Sequence, residues 1–121
     1  MSAIEQLEQI IREGTRNPDY SWTGKPRGKI TCADGFTLSV QAGPGSYCAP
    51  RPGFDTPVFE AAQINGPYFA VEVGFPSARP EPWSEWEKWC ESPDSPTDTV
   101  YGYVPIDAVR ALVASHEEVT R

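Results

Sequence analysis

Residues 29–41 read KITCADGFTLSVQ, and this stretch decides the fold because it has the pattern of a β-hairpin. Two strand-like runs, Lys29–Cys32 and Phe36–Gln41, flank the turn Ala33–Gly35, whose Asp-Gly pair favours a tight reversal. Apolar and polar residues alternate along the second run, as in a strand with one buried face. The stretch therefore predicts two antiparallel strands that bury one side.

Upstream of the hairpin, the sequence predicts a helix from Ser2 to Glu13. Ser2 and Glu5 have the three-residue spacing of a capping box, the apolar residues then recur at helical spacing, and Gly14 is a stop signal. A short helix with one apolar face must pack on something. We expect the partner to be either the sheet of this domain or the same helix of another subunit.

Downstream, Ala42–Pro67 is predicted to be a long loop, within which Val58–Ile64 forms either a helical turn or a short edge strand. Tyr68–Phe75 is the strongest predicted strand. Its alternation places Phe69, Val71, Val73 and Phe75 on one apolar face, and this face is interpreted as core.

Three more elements complete the predicted chain. Trp83–Glu91 has helical spacing, with Trp86 interpreted as a core or interface residue. Val100–Val104 is predicted to be a strand in which Tyr101 and Tyr103 face the opposite way from Val100 and Val104. Pro105 suits the first position of a final helix. The fold class is therefore α+β, with a small antiparallel or mixed sheet and N-terminal, middle and C-terminal helices.

Composition narrows the class of protein. The 121 residues fit one ligand-binding domain, residues 1–121, in which helix 2–13 is a candidate oligomerisation element. The formal net charge of −7 disfavours a nucleic-acid polymer as partner, and no apolar run has membrane-spanning length. The N-terminus lacks the pattern of a signal peptide, so we expect a cytoplasmic protein with Cys32, Cys48 and Cys90 reduced.

The residues give little support for catalysis. The only imidazole, His116, is near the C-terminus, where a histidine is more often solvated than catalytic. No CxxC pair and no glycine-rich phosphate loop is present. We therefore predict no catalytic residues, no metal site, no cofactor and no enzymatic activity.

The residues favour a binding surface instead. Aromatic side chains crowd the predicted loops and strand ends, including Tyr47, Trp83 and Tyr103, and such rings stack on flat ligands. Arg51 and Arg110 are the candidate phosphate contacts. The alternative for Arg51 is a solvated loop cation, and the alternative for Arg110 is a surface ion pair with Asp107.

From Ile30 onward the chain resembles the first type of phage Thoeris anti-defence protein. The pieces that carry the resemblance are CADGF (32–36), SVQAG (39–43), YCAPR (47–51), GPY (66–68), VEVGFP (71–76) and TVYGYVP (99–105). The resemblance implies a molecular sponge in the cytoplasm of an infected host cell. Such a protein binds a cyclic ADP-ribose isomer, the immune signal, without cleaving it.

The resemblance also implies residue roles and an assembly state. Arg51 and Arg110 would contact phosphates, Trp83 would stack on the adenine, and polar groups such as Asp94 and Thr97 would hold ribose hydroxyls. Members form homo-oligomers, from dimers to hexamers, with pockets between subunits. Some members also hold cyclic oligonucleotides at separate sites.

Two rival functions stay open at this stage. The acidity motivates a protein–protein inhibitor of a host defence complex, comparable to an anti-CRISPR protein that mimics nucleic acid. Such an inhibitor would capture a host protein and ignore nucleotides. A small nucleotide hydrolase is the other rival, and it would release an altered ligand.

Overall fold

The computed structural model describes residues 2–15, 28–43, 46–49 and 67–117. Within these residues the helices are α1 (Ala3–Glu13), α2 (Trp83–Trp86, continued by a 3₁₀ turn at Glu87–Trp89) and α3 (Ile106–Glu117). The strands are β1 (Lys29–Thr31), β2 (Thr37–Gln41), β3 (Ala70–Gly74) and β4 (Val100–Pro105). The strands form one sheet in the order β1-β2-β3-β4, and every neighbouring pair is antiparallel. The predicted α+β class is confirmed, with an antiparallel rather than a mixed sheet.

Helix α1 begins and ends as its sequence predicts. The Ser2 hydroxyl accepts the Glu5 N–H, and the Glu5 carboxylate accepts the Ser2 N–H, both at 3.1 Å, which completes a capping box. Gly14 ends the helix with φ +76°, and its N–H donates to the Ile10 carbonyl at 2.7 Å. A Cβ at Gly14 would lie 2.8 Å from the Ala42 carbonyl oxygen, so glycine is required there.

The core lies between one face of the sheet and the helices α1 and α3. Its largest fully buried side chains are Leu7 and Ile10 of α1, Ile30 of β1, Leu38 and Val40 of β2, Val71 and Val73 of β3, Trp86 of α2, Tyr101 and Val104 of β4, and Val109 and Val113 of α3. Helix α1 contacts β1, β2 and α3. Of the two packing partners expected for α1, the sheet of its own domain is therefore the one observed.

Strand β3 is shorter than predicted, and its two end phenylalanines are not core residues. Val71 and Val73 are fully buried, whereas Phe69 is 65% and Phe75 57% exposed, so the assignment of Phe69 and Phe75 to the core face is wrong. Phe69 precedes the first strand residue, Ala70, so alternation does not extend to it. Phe75 has φ +48°, a left-handed conformation that takes its side chain out of the strand pattern.

A β-bulge changes the faces of β4. Gly102 and Tyr103 together lie opposite the single residue Glu72 of β3, and Tyr103 has φ +53°. The extra residue shifts the alternation by one, so Tyr101 and Val104 are both fully buried while Tyr103 is exposed. The prediction that Tyr101 and Tyr103 share a face is therefore wrong.

The middle and last helices differ from their predicted bounds. The segment predicted as a helix to Glu91 is α2 plus a 3₁₀ turn, after which Cys90 forms an isolated bridge with Tyr101 at the outer edge of β4. Pro105 is the last residue of β4, and α3 begins one residue later. Most of the predicted loop Ala42–Pro67, including Val58–Ile64, lies outside the described residues.

Candidate functional site

The predicted site residues fall in separate places. Tyr47 and Tyr103 lie together over the sheet. Trp83 contacts Tyr101 of β4, Asp94 and Thr97 lie in the turn before β4, and Arg110 lies on α3. Arg51, the seventh, lies outside the described residues. The structure therefore brings two of the predicted aromatic residues into one arrangement.

Tyr47 and Tyr103 form the tyrosine pair. Their ring centroids are 6.0 Å apart with planes inclined at 44°, and the residues are 42% and 48% exposed. The Tyr103 N–H donates to the Tyr47 carbonyl at 3.0 Å, and the Tyr47 N–H donates to a Glu72 carboxylate oxygen at 2.9 Å. These hydrogen bonds fix the main chain of both residues, so the two side chains emerge next to each other.

The β4 bulge makes this arrangement possible. Because the bulge inserts Tyr103, its side chain turns away from the core and toward Tyr47. Gly102 lets the Tyr47 segment approach closely, since a Cβ at Gly102 would lie 3.3 Å from the Tyr47 Cβ. Neither the bulge nor the left-handed conformation of Tyr103 follows from the local sequence pattern.

Glu72 is a functional candidate that sequence reasoning missed. It is half-buried beneath the tyrosine pair, on the sheet face opposite the helices. A carboxylate beside an aromatic surface accepts hydrogen bonds from ribose hydroxyls, and its charge disfavours a phosphate at the same point. The signal available in the sequence was an acidic residue in the middle of an otherwise apolar strand.

A second feature on the same sheet face is the β2–β3 hollow, an open cavity of about 360 Å³. It is lined by Lys29, Thr37, Leu38, Ser39, Gly74 and Phe75. Lys29, Ser39 and Gly74 are register partners across three strands, so they share a face, and that face is turned away from the helices. The hollow combines a cation, two hydroxyls and an exposed ring.

Trp83 is half-buried, and one face of its ring is covered by Arg79. It packs edge-on against Tyr101, with centroids 6.4 Å apart, and the Arg79 guanidinium lies 5.4 Å from the centroid of its ring. Arg79 also pairs with Glu81 at 3.0 Å. A ligand that stacked on this side of Trp83 would have to displace the Arg79 guanidinium.

Asp94 and Thr97 are both exposed in the turn that precedes β4. The turn is attached to the core because the Tyr101 hydroxyl donates to the Pro96 carbonyl at 2.6 Å. Burial raises the pKa of the Tyr101 phenol, and a hydrogen bond with Cys90 adds to this rise. Tyr101 is therefore a neutral donor that positions the turn.

Arg110 is occupied by two carboxylates. Its Nε and Nη2 donate to the two oxygens of Glu8 at 2.7 and 2.9 Å, and its Nη1 lies 3.3 Å from Asp107. This hydrogen bonding lowers the pKa of Glu8 and raises that of Arg110. The ion pair with Asp107 was expected as an alternative, whereas the bidentate pair with Glu8, which joins α3 to α1, could not be read from the sequence.

His116 is held at the end of α3 rather than free in solvent. Its ring stacks on Phe36, with centroids 3.9 Å apart and planes at 7°, and its Nδ1 is 2.6 Å from an Asp34 oxygen.

Burial, followed by the charges of Glu117 and Asp34, raises the pKa of the nearby Cys32 thiol to about 11. Cys32 is therefore a protonated, weak nucleophile at neutral pH.

The remaining tests concern metals, membranes and relatives. Across residues 2–15, 28–43, 46–49 and 67–117, no three His, Cys, Asp or Glu side chains come close enough together to hold a metal ion. No helix within these ranges has the length and apolar character needed to cross a bilayer. No family model, curated protein or solved structure matches the chain.

Proposed function

We propose that this protein binds and sequesters a small cyclic nucleotide, a cyclic ADP-ribose isomer, without cleaving it. The observation that carries the proposal is the tyrosine pair, because two exposed rings lie next to each other, on backbone held by hydrogen bonds, beside a carboxylate. The proposed setting is the cytoplasm of a phage-infected host cell, with the protein acting as an anti-defence sponge. The proposed assembly is a homo-oligomer of two to six subunits.

The tyrosine pair suits a purine. With centroids 6.0 Å apart and a tilt of 44°, the two rings leave no parallel slot between them, so a base stacks on the outer face of one ring and meets the edge of the other. Stacking of a base on an aromatic side chain contributes about 1–3 kcal/mol. Glu72 accepts a hydrogen bond from a ribose hydroxyl beside the stacked base.

The phosphates need cations, and the proposal assigns them to Arg51 and Arg110. Arg51 follows Ala49 by two positions in the chain, and Ala49 is bridged to Ala70 of β3. Arg110 lies on the helix side of the sheet, opposite the tyrosine pair, so in this proposal it reaches the ligand from a neighbouring subunit of the homo-oligomer. It would have to exchange the Glu8 carboxylate for a phosphate, because its guanidinium is already engaged in a bidentate pair.

The decisive experiment is isothermal titration calorimetry with cyclic ADP-ribose isomers. We expect Tyr103→Ala and Tyr47→Ala to weaken binding about 10- to 100-fold, as the loss of one stacking contact implies. Phe69→Ala is the matched control, because it removes an exposed ring outside the tyrosine pair. The absence of binding by the wild-type protein to every isomer at micromolar concentration would overturn the proposal.

The ligand must also be recovered intact. After the complex is denatured, mass spectrometry should return the ligand with its mass and chromatographic position unchanged. A hydrolysed product would instead establish the rival nucleotide hydrolase. Capture of one host protein together with indifference to nucleotides would establish the rival protein–protein inhibitor.

The role of Arg110 has its own test. Glu8→Gln removes the competing charge but keeps the side-chain size, so we expect it to tighten binding several-fold, while Arg110→Gln weakens it. Asp107→Asn is the control, because Asp107 makes only a single, longer contact with Arg110. If Glu8→Gln leaves the affinity unchanged, Arg110 is a structural residue and Arg51 is the remaining candidate.

A further inference from the structure

The β2–β3 hollow combines features that a sheet surface does not need for folding. Its volume of about 360 Å³ lies within the range of small-molecule sites. Its floor is Gly74, where a Cβ would lie 3.5 Å from the Val100 Cγ1 and 3.9 Å from the Ser39 Cβ. These are ordinary contacts, so the fold would accept alanine at this position, and the glycine leaves space that packing does not require.

Phe75 at the rim is unfavourable for stability in two ways. A left-handed φ of +48° costs a residue other than glycine about 1–3 kcal/mol, and the ring is 57% exposed to water. The conformation persists because the Phe75 N–H donates to the Thr99 carbonyl at 2.9 Å, and Ser77 pairs with Thr37 beyond it. Strain that exposes an aromatic ring beside a cavity points to a ligand.

Lys29 places a positive charge at the same cavity in an acidic chain. Its backbone is fixed, because its carbonyl accepts the Gln6 Nε2 at 2.8 Å, and its side chain is exposed. Within the described part of the chain, its ammonium forms no ion pair. The hydroxyls of Thr37 and Ser39 lie in the same lining, and Ser39 accepts a hydrogen bond from Gln41, which leaves its O–H to donate.

We propose that the β2–β3 hollow binds a flat aromatic ring that carries one anionic group, a phosphate or a carboxylate. The ring stacks on Phe75, the anion pairs with Lys29, and the Ser39 hydroxyl donates to the anion or to an adjacent polar group. This site is distinct from the tyrosine pair, and it does not depend on the proposed sequestration of a cyclic nucleotide.

The test is an NMR titration of isotope-labelled protein with adenosine 5′-monophosphate as the probe. We expect saturable shifts of the amides of Ser39 and Gly74. Adenosine alone and inorganic phosphate alone should each bind at least 10-fold more weakly, because each lacks one of the two recognised groups. Benzoate in a parallel titration distinguishes a carboxylate-binding site from a phosphate-binding one.

Three variants test the named contacts. Lys29→Gln removes the charge, Phe75→Asn removes the ring with a residue that tolerates the left-handed backbone, and Gly74→Ala partly fills the cavity. Each variant should lower the affinity for adenosine 5′-monophosphate about 5-fold or more. Lys88→Gln is the charge-matched control, because Lys88 lies over Trp89, away from the lining residues.

The outcomes also separate this site from the proposed function. Tyr103→Ala should leave the monophosphate-induced shifts of Ser39 and Gly74 unchanged, and Lys29→Gln should leave binding of cyclic ADP-ribose isomers unchanged. Shifts confined to the tyrosine pair, with the amides of Ser39 and Gly74 unmoved, or equal binding of monophosphate and inorganic phosphate, would overturn the proposal for the hollow. Loss of cyclic nucleotide binding alone would remove only the proposed function.

Discussion

The ring of Tyr103 belongs to the proposed binding site, whereas its left-handed backbone conformation lowers the stability of the fold. Two substitutions separate these effects. Tyr103→Ala removes the ring but keeps a Cβ at φ +53°, whereas Tyr103→Gly removes both. A left-handed conformation costs an L-residue about 1–2 kcal/mol, while glycine loses about 0.5–1 kcal/mol more entropy on folding than alanine. The glycine variant should therefore be the more stable of the two by about 1 kcal/mol.

Thermal unfolding followed by circular dichroism measures this difference. For a chain of this length, about 1 kcal/mol corresponds to a difference of about 3–5 °C in Tm. Both variants lack the ring, so both should lose nucleotide affinity by the same factor, about 10- to 100-fold. The reasoning is refuted if the alanine variant is as stable as the glycine variant, because the bulge would then impose no strain at Tyr103.

Three further predictions concern ionic and thiol groups. Glu8→Gln should lower the free energy of unfolding, measured in urea titrations, by about 0.5 kcal/mol. The effect is small because the ion pair of Glu8 with Arg110 is partly exposed, and added salt should reduce it further because salt screens the pair. Hydrogen bonds from His116 and a backbone N–H lower the pKa of Asp34 from its ordinary value of 3.8. The ionised carboxylate therefore stabilises the fold above pH 3.8, and this contribution disappears as the pH falls through the lowered pKa. Asp34→Asn should remove this part of the pH dependence of the free energy of unfolding. Iodoacetamide should label Cys90 of the native protein before the buried Cys32 and Cys48, and Cys32 is further protected because its pKa is raised to about 11. Peptide mass spectrometry measures the labelling rates, and equal rates would contradict this prediction.

Local patterns predicted the elements because each depends on neighbouring residues. The capping box of Ser2 and Glu5 and the turn at Asp34-Gly35 involve groups within three positions of each other. The period-2 pattern also identified Val71 and Val73 as core residues. These signals were enough for the α+β class and for most element bounds to within two residues.

The candidate site was harder to predict because its geometry comes from exceptions to those patterns. The left-handed conformations at Phe75 and Tyr103 are unusual for aromatic residues. Alternation therefore placed the exposed Phe75 in the core, and it missed the bulge that buries Tyr101 while Tyr103 stays exposed. The contact of Arg110 with Glu8 joins residues 102 positions apart. Tyr47 was identified as a binding candidate, but its partner Glu72 was not, because only the folded sheet brings them together.

By itself, the amino-acid sequence determined the helices, the hairpin, the buried alternation and the acidic surface, because capping, turn chemistry and hydrophobic periodicity act over a few residues. Only the tertiary structure decided which aromatic rings face water, since this depends on where the β3–β4 register shifts and where the backbone turns left-handed. Those choices are set by hydrogen bonds between distant strands. The tyrosine pair depends on the β3–β4 register shift, and the exposed ring of the β2–β3 hollow depends on the left-handed backbone at Phe75.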